Sequence, residues 1–174
     1  VSFKDLPSKE DMPYNTNGIE GVEFLFSANL GEPLKPMSKV ISGGEMSRFM
    51  LGMKSVICDL QDISTFIFDE IDTGISGKIA QTVAEKFAQI SLNKQIIAIS
   101  HLPQICAMSD VSFLIYKHED GEKTYTEVKK LNENEKVYEI LRLIGGNGES
   151  TFAKQHAEEM IKSANDFKKS IKQK

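Results

Sequence analysis

The hydrophobic patterning predicts an α/β fold: a mostly parallel sheet flanked by helices, with an antiparallel hairpin added and helices closing the chain. Three observations lead there. Two short, apolar, β-prone runs, Thr65–Asp69 and Gln95–Ser100, enclose a stretch whose apolar residues recur at helical spacing. Strands covered on both faces and joined through a helix form a βαβ unit, which implies parallel pairing. Further on, Val111–Lys117 and Thr124–Leu131 flank Asp120-Gly121, a turn dipeptide that predicts a hairpin.

The elements follow in order. Residues 1–21 read as a polar lead-in and 22–174 as one domain. Val22, Phe24, Phe26 and Ala28 alternate, so Val22–Asn29 is expected to be a half-buried strand with these four on one face. A loop with Gly31, Pro33 and Pro36 follows. From Ser42 the period changes: Met46, Phe49, Met50, Met53, Ile57 and Leu60 line one face of a helix. Ser42 with Glu45 three residues on is the capping-box pattern that starts such a helix. Ile79, Val83, Phe87 and Ile90 predict the helix between the two apolar strands. Val137, Ile140, Leu141 and Ile144 predict another, and a last one runs from about Thr151 into a lysine-rich tail, the two separated by Gly145-Gly146-Asn147-Gly148.

Composition narrows the function classes. The chain has 174 residues, 40% hydrophobic and 26% charged, and a net charge of −4, which does not advertise nucleic-acid binding. The lysines of the tail (Lys162, Lys168, Lys169, Lys172, Lys174) read as a solvated helix face. No apolar run approaches the roughly 20 residues of a membrane-spanning helix. Cys58 and Cys106 sit in apolar contexts without metal-ligand spacing, as expected of reduced thiols in the cytoplasm. A start at Val1 without methionine predicts a piece of a longer gene product.

Four groups carry chemistry. Asp69 and Glu70 end a buried strand of a parallel sheet, the edge at which such sheets bind ligands. A carboxylate there can hold Mg²⁺ through water, and its neighbour can deprotonate an attacking water; the alternative is a strand that ends in two solvated acids. Ser42-Gly43-Gly44-Glu45 opens a helix, where free N–H groups and the helix dipole suit a phosphate, or where a plain cap follows a flexible turn. His101 follows the second apolar strand and so shares the edge with Asp69 and Glu70, either to bond a phosphate or water or as an ordinary polar strand end. Asp72-Thr73-Gly74-Ile75-Ser76-Gly77 is a polar loop that by itself says little.

Their order along the chain resembles the ABC ATPase superfamily: signature motif at Ser42–Glu45, Walker B at Asp69 and Glu70, D-loop from Asp72 and H-loop at His101. More narrowly, Val22-Glu-Phe-Leu-Phe-Ser-Ala-Asn-Leu-Gly-Glu-Pro, Lys39-Val-Ile-Ser-Gly-Gly-Glu-Met-Ser-Arg48, Phe68–Gly77, Ser100-His-Leu-Pro-Gln-Ile105 and Glu139–Gly146 are similar to the RecN family of SMC-like bacterial DNA repair proteins. The phosphate-cradling P-loop motif is missing. Gly77-Lys78, the one Gly-Lys pair, is followed by Ile79, and Asp72 stands where the first glycine belongs.

The resemblance implies the C-terminal lobe of an ABC-type ATPase head, with the Walker A segment N-terminal and a long coiled coil between. It implies ATP and Mg²⁺ as ligands, Asp69 on the metal, Glu70 as the base, and His101 on the γ-phosphate or attacking water. Ser42, Gly43, Gly44, Glu45 and Asp72 are expected on nucleotide. The implied partners are the Walker A segment, a second head in a homodimer, and DNA; the implied place is the cytoplasm, at the nucleoid and on no membrane. The isolated chain is expected to be inactive. Two alternatives stay open: the nucleotide-binding subunit of a transporter, which heptads upstream of Val1 would exclude, and a non-catalytic dimerisation or DNA-binding module, for which Glu70 has no use.

Overall fold

The computed structural model describes residues 1–6, 14, 16–27, 31–57, 62–119, 121, 123–145 and 151–173. The chain divides into two compact units, Val1–Met46 and Ser47–Lys174.

In the first unit, β1 (Ser2–Asp5) pairs antiparallel with β2 (Glu20–Glu23), and β3 (Leu25–Phe26) with β4 (Lys35–Pro36). Helix α1 (Met37–Val40) follows. Part of the polar lead-in is therefore a strand. The single strand expected over Val22–Asn29 is broken at Phe24, whose carbonyl accepts the Met37 amide at 2.8 Å. Val22 and Phe24 of the expected inner face are 59% and 54% exposed, while Phe26 is half-buried as expected. The more sheltered positions of β2 are Gly21 and Glu23, the latter ion-paired to Lys4 at 2.6 Å, so charge pairing and not apolar burial sets the register here. Ala28 and Asn29 lie outside the described residues.

Helix α2 (Gly43–Ile57) starts as the capping-box pattern requires. Its apolar face differs from the expectation. Leu51 is buried, while Met50 and Met53 are exposed. Ser47 and Arg48, on Leu51's side of the helix, bond backbone carbonyls of the loop after the next strand, and those polar contacts turn the helix. Cys58 and Leu60 lie outside the described residues.

In the second unit, β5 (Thr65–Phe68) and β6 (Gln95–Ala98) pair in parallel through α3 (Gly77–Ile90), the βαβ unit read from the sequence. Among the described residues the parallel sheet has these two strands alone, and the other three strand pairs are antiparallel. One face is covered: Phe66 and Phe68 are buried, Phe68 against Phe87 with ring centroids 5.1 Å apart. Ile67 on the other face is 69% exposed, and Ile97 and Ile99 are exposed too, so among the described residues of this unit the expected cover on both faces is not found.

Helix α3 buries Ala80, Val83, Ala84, Phe87, Ala88 and Ile90, a stripe at helical spacing. A short helix absent from the sequence reading, α4 (Pro103–Met108), begins two residues after His101. Strands β7 (Phe113–Glu119) and β8 (Thr124–Lys130) form the hairpin, with Gly121 at φ 62° in its turn; Asp120 lies outside the described residues. Helices α5 (Glu133–Leu143) and α6 (Thr151–Lys172) pack on each other and on α4. The buried Lys136 of α5 donates to the carbonyls of Ala107 (3.3 Å) and Ser109 (2.6 Å), closing the end of α4 as a basic side chain can. Burial pushes its pKa down. The lysine tail is not wholly solvated: Lys168 is largely covered and pairs with Asp110 at 3.0 Å. Cys106 is a free thiol whose pKa burial raises. Among the described residues no helix is long and apolar enough to cross a membrane.

Candidate functional site

The parallel register decides what meets at the sheet edge. Phe68 pairs with Ala98, and the Ile99 amide donates to the Phe68 carbonyl at 2.9 Å. Asp69 and Glu70 therefore leave β5 at the level where Ile99, Ser100 and His101 leave β6. This is the carboxyl edge, where parallel sheets offer their crevices.

Glu70 has φ 55°, the one left-handed non-glycine residue described. For an ordinary L-residue that conformation costs about 1–2 kcal/mol. Neighbouring bonds hold it: the Glu70 amide donates to Asp69 Oδ1 (2.9 Å), and the Glu70 carbonyl accepts the Thr73 amide (3.2 Å). Both acids are exposed. From α2, Ser47 Oγ donates to the Asp69 carbonyl (3.4 Å), and Arg48 Nη1 donates to the carbonyls of Ile71 (3.2 Å) and Thr73 (2.8 Å). Ile71 is fully buried and roots the loop. Gly77, at φ 54°, turns the loop into α3, a conformation glycine adopts without strain.

Asp72 differs from its neighbours. It is 4% exposed, its Oδ2 accepts from Ser100 Oγ (2.7 Å) and the His101 amide (2.7 Å), and His101 Nδ1 lies 2.9 Å from the same oxygen. Burial raises the carboxyl pKa, but the Ser100 hydroxyl, the His101 and Asp72 amides and the imidazole together outweigh it, leaving a net lowering. Asp72, which the resemblance places on nucleotide, is thus held as an internal anion within this chain. The His101 side chain is 75% exposed.

Ser42 and Glu45 are joined reciprocally. The Ser42 amide and hydroxyl donate to Glu45 Oε2 at 2.9 and 3.0 Å, and the Glu45 amide donates to Ser42 Oγ at 3.4 Å. The plain capping arrangement is therefore present. The first-turn amides of any α-helix still lack a carbonyl one turn back; Gly43 is exposed there, whereas Gly44 is buried.

Among the described residues no three His, Cys, Asp or Glu side chains gather as a metal cage. The donor set fits Mg²⁺ nonetheless, since that ion is held by one or two carboxylates with water and substrate phosphates completing its shell. Asp69 would supply the carboxylate. Sequence reasoning passed over Ser47, Arg48 and Ser100; only their proximity to the loop reveals them. It also passed over the capping box of α5, although Asn132 and Glu135 stood at the right spacing.

No family model matches the chain. A DNA repair protein RecN of Halalkalibacterium halodurans is 47% identical over 156 residues, 90% of this chain and 28% of the relative. That of Bacillus subtilis is 48% identical over 163 residues, 94% and 28% of the two chains. That of Treponema pallidum is 40% identical over 146 residues, 84% and 26%. A solved chain from work on the structural biochemistry of ATP-driven dimerization and DNA-stimulated activation of SMC ATPases overlays with a TM-score of 0.48 at 23% identity, covering 67% of this chain and 69% of its own. The chain spans little more than a quarter of the length of the curated relatives it matches. Across the part it does span, it belongs to the RecN family of DNA repair proteins.

Proposed function

We propose that the chain is the C-terminal half of an SMC-like ATPase head, which binds and hydrolyses ATP together with an N-terminal Walker A segment and drives head dimerisation in the repair of DNA double-strand breaks. One observation carries the reading. Glu70, a carboxylate held in a left-handed backbone, follows Asp69 at the carboxyl edge of β5, level with the end of β6 from which His101 projects. A solvated strand end has no need of backbone strain, and strain of this kind gathers at working sites.

In this reading Asp69 holds Mg²⁺, which when bound neutralises charge on the β- and γ-phosphates. Glu70 accepts a proton from the attacking water and orients it. His101 turns its exposed ring edge to the γ-phosphate or that water. Ser42–Glu45 caps the γ-phosphate held by a second head, so the nucleotide joins two copies and hydrolysis releases them. DNA is a partner of the whole protein by family membership.

The test is a rejoined head. The 174-residue chain alone should not turn over ATP, and adding the Walker A segment in trans or through a linker should restore hydrolysis. Equal turnover by the chain alone would remove the reading.

A further inference from the structure

We propose that Asp72 is a positioning residue that acts through His101, holding the imidazole so that Nδ1 faces inward and Nε2 faces the ligand. The proposal rests on the reading of His101 as a residue that touches the γ-phosphate or attacking water.

Asp72 Oδ2 offers two lone pairs, and the Ser100 hydroxyl and the His101 amide, both at 2.7 Å, are enough to fill them. A purely architectural carboxylate would need no more. Yet His101 Nδ1 also lies 2.9 Å from the same oxygen, although the imidazole is 75% exposed and water could satisfy it. An exposed ring gains little burial from this contact. What it gains is a fixed rotamer, because Nδ1 held beside the carboxylate leaves Nε2 as the outward atom, and a carboxylate there favours the tautomer that carries its proton on Nδ1.

The surrounding turn is built around the same carboxylate. The Leu102 amide donates to Ser100 Oγ at 3.0 Å, which aims the Ser100 hydroxyl at Asp72, and Pro103 starts α4 directly afterwards. Asp72 itself sits one residue beyond Ile71, in the loop that carries Glu70. One buried anion therefore ties the loop after β5 to the turn after β6, and sets the imidazole relative to the general base.

The experiment uses the full-length protein and compares Asp72→Asn, His101→Ala and the double variant by ATP turnover. Asp72→Asn should lower kcat about tenfold with KM for ATP within about threefold, and should lower it less than about twofold when His101 is already alanine. The same loss with and without the imidazole would overturn the proposal, since Asp72 would then act on the loop alone. A His101→Ala protein as active as wild type would also overturn it. Glu70→Gln in the same assay separates that outcome from failure of the ATPase reading, because loss of turnover there leaves the reading standing. Should Asp72→Asn not fold, nitrogen-15 histidine spectra of the wild type decide. A proton on Nδ1 of His101 is expected, and a neutral ring protonated on Nε2 would overturn the proposal.

Discussion

Glu70 and Asp72 are two carboxylates one residue apart on the same loop, and they are held in opposite ways. Glu70 is exposed and sits in a left-handed backbone. Asp72 is buried, and its Oδ2 receives two donors with His101 Nδ1 2.9 Å away. Side-chain chemistry cannot explain the difference; the surroundings do, since Ser100 and His101 present donors to Asp72 while the left-handed backbone at Glu70 leaves that residue exposed. In the proposed site the pair would divide labour: the strained, open carboxylate would be available to a ligand, and the internal one would organise what surrounds it.

The largest expected effect tests the open carboxylate. In the rejoined head, Glu70→Gln should slow hydrolysis about 10²-fold or more while nucleotide affinity is kept, as for the loss of a general base. Single-turnover hydrolysis beside equilibrium nucleotide binding measures both. If Asp72→Asn proved the more severe of the two, the division of labour would be reversed.

Stability should invert the ranking. Asp72→Ala leaves the Ser100 hydroxyl and the His101 amide without their acceptor and should destabilise Ser47–Lys174 by about 3 kcal/mol. Glu70→Ala should change stability by less than about 0.5 kcal/mol, as exposed substitutions do. Urea titrations of the two variants compare them directly. The acid limb of the wild type should carry the same mark. The folded carboxyl of Asp72 titrates below its ordinary 3.8, so its stabilising contribution is complete above that value and disappears as pH falls through the lowered folded pKa. Asp72→Asn should flatten that part of the acid limb.

The smallest effect concerns strain. Glu70→Gly removes the penalty of the left-handed backbone but loosens the unfolded chain, so a net stabilisation of about 0.5 kcal/mol is expected. A lower melting temperature for Glu70→Gly would mean that the Glu70 side chain makes a stabilising contact and is not free for a ligand.

Much of the fold was legible along the chain. Short apolar runs and helical periodicity require only local rules, because period and capping express the geometry of single elements, whereas the grouping of Ser42–Glu45, Asp69, Glu70, Asp72 and His101 as one site came from resemblance. The capping box of α2 and the βαβ unit formed as the sequence required. Faces were less legible. Met50 and Met53 were expected inside and are exposed, while Leu51 is buried, because periodicity reports that a helix has an inner side but not which polar groups will turn it. Ile67, Ile97 and Ile99 read as buried because apolar strands read so, yet they are exposed among the described residues.

The sequence by itself determined the elements, their order and the residue types at each strand end, since these follow from side-chain period and motif spacing. Only the tertiary structure decided which carboxylate faces outward. That choice depends on groups 22 to 29 residues away in the chain: Ser47 and Arg48 on one side of the loop, Ser100 and His101 on the other. Hydrogen bonds across such separations form only once Ile71 and the strands have brought the loop between them.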